Sequence, residues 1–115
     1  MRTSGDVKSL KNIDYLFKKN GTSASKIKVI NGKIKIVTNS GIFSGKDIKY
    51  IIEQINAVHK QYPRLKIPIE FYFGSMVFID KLTFVILECI CYYLIHDCGH
   101  YVQIFMNIDV SNDIH

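Results

Sequence analysis

The chain has 115 residues, 48% of them hydrophobic and 22% charged, with three cysteines and a formal net charge of +5. That length supports one domain with a genuine core and is too short for two, and the composition has ordinary globular values. The longest apolar run, Phe84 to Ile95, is broken by Glu88 and falls short of the roughly 20 residues a bilayer requires, so no membrane span is expected.

The cysteines are odd in number and irregularly spaced, with no signal peptide ahead of them, which points to a reduced, cytoplasmic protein. The net charge hides an asymmetry. Residues 1–66 hold 14 Lys or Arg against four acids (+10), whereas residues 67–115 hold one Lys, Lys81, against six acids (−5). A basic half suits acidic partners or nucleic acid, although lysines spread over solvated faces are the commoner explanation.

In chain order, residues 1–21 read as an N-terminal helical extension. Val7, Leu10, Ile13, Leu16 and Phe17 fall at helical spacing behind Ser4, and Asn20-Gly21 ends the pattern. Lys8, Lys11, Lys18 and Lys19 fill the other side, so the helix is expected to dock on its own domain, with a partner or an anionic surface as alternatives.

Residues 22–115 form the domain proper. Thr22 to Ser25 is a polar spacer, and two alternating runs then flank Asn31-Gly32, the preferred pair for a tight hairpin turn. Pairing Ile30 with Lys33 sets Val29 against Ile34, Ile27 against Ile36 and Lys28 against Lys35. The isoleucines must face the core. The lysines Lys26, Lys28, Lys33 and Lys35 then share the other side, which is either solvated or bound to an anion.

Thr38 to Phe43 reads as a loop, and Ser44-Gly45-Lys46-Asp47 as a helix start. Ile48, Ile51, Ile52, Ile55 and Val58 make one apolar stripe, ended at Tyr62-Pro63 by the proline ring. From Ile67 to Phe73 the apolar residues alternate, predicting a strand that Gly74-Ser75 punctuates. Val77-Phe78-Ile79 is a second short step, and Asp80 can accept the free N–H groups of a following helix. That helix runs to about Asp97, closed by Cys98-Gly99, and His100 to Ile108 returns as a strand. The fold class is therefore α/β: a small mixed sheet with helices mainly on one face, the parallel crossovers placing the loop before Asp80 at the carboxyl edge.

The second helix is apolar almost all round. Leu82, Val85, Ile86, Cys89, Ile90, Tyr93 and Leu94 form one broad stripe, and Phe84, Leu87, Cys91 and Ile95 another. One stripe suffices to cover a sheet, so the second needs another part of the chain, a twin subunit or a partner.

At Phe78-Ile79-Asp80-Lys81, following Phe71-Tyr72-Phe73-Gly74, the chain resembles the STAS family, the sulfate-transporter and anti-sigma-factor-antagonist domains. Residues 33–108 follow the family's element order, with Ile42-Phe43-Ser44-Gly45 in the loop before the first helix and Asp97-Cys98-Gly99-His100 as the closing turn. The resemblance implies a non-catalytic bacterial regulatory domain that docks on a kinase-like ATPase, and it implies no cofactor. It places the partner surface at Ser44, Gly45, Asp80, Lys81, Thr83 and Phe84. Family members are phosphorylated at the Ser after the Asp, where this chain has Lys81, so phosphate switching is not expected. They also carry a further helix after the last strand, and this chain ends at His115.

Competing chemistry is thin. Cys89, Cys91, His96, Cys98 and His100 lack a C-x-x-C pair, and residues two apart on a helix point about 200° apart, so no metal is expected. Asp80 and Glu88 lie about 12 Å apart along a helix, too far to share a proton. Gly41 to Gly45 does not have phosphate-loop spacing, and His59 reads as a packed helix residue. No enzyme is expected. Docking on a protein, with self-association as an option, is the favoured reading, and nucleic-acid binding by Lys26, Lys28, Lys33 and Lys35 is the alternative.

Overall fold

A computed structural model describes residues 24–108. The expected N-terminal helix, the spacer up to residue 23 and residues 109–115 lie outside the described residues. The described elements are β1 (Ser25–Ile30), β2 (Lys33–Ile42), α1 (Gly45–Gln61), β3 (Ile69–Phe78), α2 (Lys81–His96) and β4 (Val102–Ile108). They make an α/β fold with a single four-stranded sheet in the order β1-β2-β3-β4, antiparallel at β1–β2 and parallel at the other two pairings.

The hairpin adopts the register its alternation demands. Ile30 pairs with Lys33, Val29 with Ile34, Ile27 with Ile36 and Lys28 with Lys35. Asn31 (φ 54°) and Gly32 (φ 74°) supply the two left-handed residues of the turn. Ser25 is the first residue of β1 instead of spacer, its hydroxyl 2.7 Å from that of Thr38 across the pair.

One core holds the layers together. Ile27, Ile34, Ile36, Ile69, Phe71 and Phe73 from the strands pack with Ile48, Ile51 and Ile55 of α1 and Leu87, Cys91 and Leu94 of α2. Because these strand residues alternate with Lys26, Lys28, Lys33, Lys35, Glu70 and Tyr72, both helices lie on one face and the polar set lies on the other. Same-side helices are what two successive right-handed crossovers produce.

Two expected breaks are absent. Residues 38–43 are not a loop, since β2 continues to Ile42, and Gly74-Ser75 does not end the strand, since β3 continues to Phe78. Both strands instead carry an irregularity: pairing passes from Thr38↔Phe73 to Ser40↔Met76, so Gly74 and Ser75 oppose Asn39 alone. A Cβ at Gly74 would run into the carbonyl oxygen of Asn39, and this close approach, not a turn, explains the glycine.

Beyond that bulge, β2 and β3 pair as Ser40↔Met76, Gly41↔Val77 and Ile42↔Phe78. Among the described residues, β1 stops level with Thr38 and β4 level with Gly74. Among the described residues, the last three residues of β2 and β3 thus form a two-stranded ribbon at the carboxyl edge.

Candidate functional site

The ribbon leads into both helices. Phe43 N–H donates to the Phe78 carbonyl at 2.9 Å, so Ser44 and Asp80, the residues that start α1 and α2, leave the sheet side by side. At α1, the carboxylate of Asp47 accepts from Ser44 N–H at 2.8 Å and from the Ser44 hydroxyl at 3.2 Å. Its other oxygen accepts from Ala24 N–H at 2.8 Å, tying the entry of β1 to the first turn of the helix. Asp47 is buried, so this clamp fixes the rim and is not itself displayed.

At α2, Asp80 Oδ1 accepts from Thr83 N–H at 2.7 Å. That bond holds the exposed carboxyl below its ordinary range. Lys81 is exposed, and among the described residues no acid lies within ion-pair distance of it. A cation in the positive first turn of a helix is mildly unfavourable by itself. Thr83 is buried and Phe84 is half-buried against the core, so these two candidates support the rim from beneath, whereas Gly45, Asp80 and Lys81 stand on it and Ser44 is half-buried.

What surrounds those residues is apolar. Ile42 is 66% exposed, Met76 76%, Phe78 61% and Leu82 71%. Lys46, in the first turn of α1, is exposed as Lys81 is in that of α2. The carboxyl edge therefore offers large apolar side chains flanked by two cations and two helix N-termini, a combination suited to a surface that is both greasy and acidic. Alternation alone could have found Phe78 and Met76, but the supposed turn at Gly74 hid them.

On α2 the buried stripe is Thr83, Leu87, Cys91 and Leu94. Leu82, Val85, Ile86, Cys89 and Tyr93 are exposed, which corrects the grouping of the first stripe: only its Leu94 is fully buried, with Ile90 half-buried. Burial and the charge of Glu88 push the Cys91 thiol up to about 11, leaving it unreactive.

The four lysines do share the open face, but it is not simply solvated. Glu70, 4% exposed, pairs with Lys33 at 3.1 Å and with Lys35 at 3.7 Å and accepts a 2.6 Å bond from the Tyr72 hydroxyl. Burial works to raise its carboxyl, yet the bonds from Tyr72 and Lys33 and the two lysine charges outweigh it and hold the group below the usual range. Lys35 also sits 5.2 Å from the centre of the Tyr72 ring, which stacks on Phe105 at 4.8 Å. Nothing in the sequence pattern marked Glu70 as an ion-pair centre, since its lysine partners lie 35 and 37 positions away.

Among the described residues no group of three or more His, Cys, Asp or Glu is placed to hold a metal ion. His100 is buried beside His59, an arrangement that joins α1 to the entry of β4. No helix is long and apolar enough to cross a membrane among the described residues. Comparison with protein-family models, with curated proteins and with solved structures gives no match.

Proposed function

We propose that this chain is a non-catalytic docking module of the bacterial cytoplasm that binds a protein partner through the carboxyl edge of its sheet. The observation that carries this reading is the apolar ribbon end, Ile42, Met76 and Phe78, standing beside Lys46, Asp80 and Lys81. Exposed apolar side chains grouped at one rim are costly for a monomer to leave in water and mark an interaction surface. Lys81, in the first turn of α2 with no acid within ion-pair distance among the described residues, adds a preference for a carboxylate or phosphate on the partner. A kinase-like ATPase is the partner class suggested by the STAS-like element order, with Lys81 standing where the phosphorylated Ser would be.

The test places a photo-crosslinking amino acid at Phe78 and, separately, at Lys60 near the opposite end of α1. A partner that crosslinks only from Phe78, and that binds the purified chain in reconstitution, supports the reading. Equal yields from both positions, or none from Phe78, refute it.

A second reading has one observation in its favour: the stacked Tyr72–Phe105 pair lies on the lysine face, as aromatics do in single-strand nucleic-acid platforms. Against it, Lys33 and Lys35 are already engaged with Glu70, leaving Lys26 and Lys28 as the exposed cations of the hairpin. Binding to a single-stranded oligonucleotide that weakens steeply with salt would favour this reading over docking.

A further inference from the structure

We infer that the outer face of α2 pairs with the same face of a second copy of this chain, the two helices running antiparallel about Cys89. The inference does not rest on the docking reading: the row runs down α2 away from the ribbon end of Ile42, Met76 and Phe78 and meets that rim only at Lys81 and Leu82. Leu82, Val85, Ile86, Tyr92 and Tyr93 are 71%, 52%, 40%, 66% and 42% exposed, and Cys89 is exposed in their midst. At 100° per residue, residues 82, 85, 86, 89, 92 and 93 all fall within about 60° of Cys89, so they make one continuous row down the helix. No charged residue lies in that row. Five large side chains exposed together present on the order of several hundred Å² of surface, the extent at which exposed apolar area marks an interface.

The row itself says what fits it. Its N-terminal half is aliphatic (Leu82, Val85, Ile86) and its C-terminal half is aromatic (Tyr92, Tyr93, then His96, whose ring lies 4.1 Å from that of Tyr92). Reflecting the numbering about 89 exchanges 82 with 96, 85 with 93 and 86 with 92. An antiparallel copy therefore sets every aliphatic residue level with an aromatic one, filling wide rings against narrow side chains. The same operation brings the end bearing Lys81 alongside the end bearing Asp97 and opposes the two helix dipoles. A parallel copy would align both charges and dipoles and leave tyrosine on tyrosine. Such a pairing is closed by a two-fold axis and cannot propagate into fibres.

Sedimentation of the full chain from low to high micromolar concentration tests this. The expected result is a reversible dimer, weakened about 100-fold by Ile86→Glu, as for an interface hot spot, with an unchanged circular dichroism spectrum. Because two Cys89 thiols would meet on the axis, mild diamide should give a covalent dimer. The two thiols lose two protons and two electrons to form the disulfide, the diamide is reduced to its hydrazine, and Cys89→Ser abolishes the product. The buried Cys91 cannot substitute. A monomer at every concentration would overturn the inference and show the row covered from within the chain or left for a different partner. A dimer indifferent to Ile86→Glu and not joined through Cys89 would overturn it as well.

Discussion

His59 and His100 meet through their Nε2 atoms at 2.7 Å, with the rings nearly perpendicular, and so join the last turn of α1 to the entry of β4. His100 Nδ1 lies 2.8 Å from the Ile67 carbonyl, which can only accept. Nδ1 must therefore carry the proton. When both rings are neutral, His100 Nε2 accepts and His59 Nε2–H donates, so one contact sets both tautomers. Burial lowers the proton affinity of both rings, and for His100 the neighbouring His59 and Lys66 lower it further against the opposing bond to Ile67.

Groups whose proton affinity is lowered in the folded state stabilise it above their unfolded value and lose that contribution as pH falls. The urea midpoint should therefore be flat above pH ~7 and drop as pH falls through ~6.5, the ordinary histidine value. In His59→Gln, which removes one of the two rings, that drop should shrink. An equal slope in the variant would show that the pair does not set it.

Glu70 follows the same sign in a lower window, contributing above the ordinary carboxylate value and failing in acid. Glu70→Gln leaves Lys33 and Lys35, side by side on β2, without their shared counter-charge and should cost about 1–3 kcal/mol in denaturant unfolding. Lys33→Met, by contrast, removes a partner whose side chain is 42% exposed, and should cost less than about 1 kcal/mol.

Gly74→Ala should destabilise by about 2–3 kcal/mol, because the added methyl meets the backbone carbonyl of Asn39 at the bulge and no flexible side chain can yield there. Gly45→Ala, where a Cβ meets nothing within 4 Å, is the control and should be nearly neutral in a thermal melt.

Asp80→Ala should lower the melting temperature by removing the bond to Thr83 N–H at the start of α2. Lys81→Glu should leave stability unchanged or raise it by a few tenths of a kcal/mol, about the size expected for an acid in place of a cation at a helix N-terminus. Thermal melts of the two variants, run together, distinguish a fold role at position 80 from a surface role at position 81.

Local patterns carried most of the architecture. Asn31-Gly32 with flanking isoleucines specified the hairpin to the residue, and the stripe from Ile48 to Val58 specified α1, because both signals are confined to neighbouring residues. The β2–β3 ribbon was not legible, because Gly74 serves a close approach to Asn39 that arises only once the parallel strands pair. Glu70 with its lysines and His59 with His100 were missed for a related reason: each joins residues more than thirty positions apart. The start of α2 was legible, since Asp80 caps the helix as a short carboxylate ahead of an apolar run does, and both it and Lys81 are exposed. The apolar component of the rim, Ile42, Met76 and Phe78, depends on the pairing of β2 with β3 beyond the bulge, which no local pattern encodes.

The central claim is that the carboxyl edge binds a protein. The most direct measurement is a calorimetric titration of the partner crosslinked at Phe78 into the purified wild-type chain, Lys81→Glu and Lys60→Glu. The account predicts wild-type affinity for Lys60→Glu and an affinity at least about tenfold lower for Lys81→Glu, with both variants melting as the wild type does. Equal affinity for all three chains would contradict it.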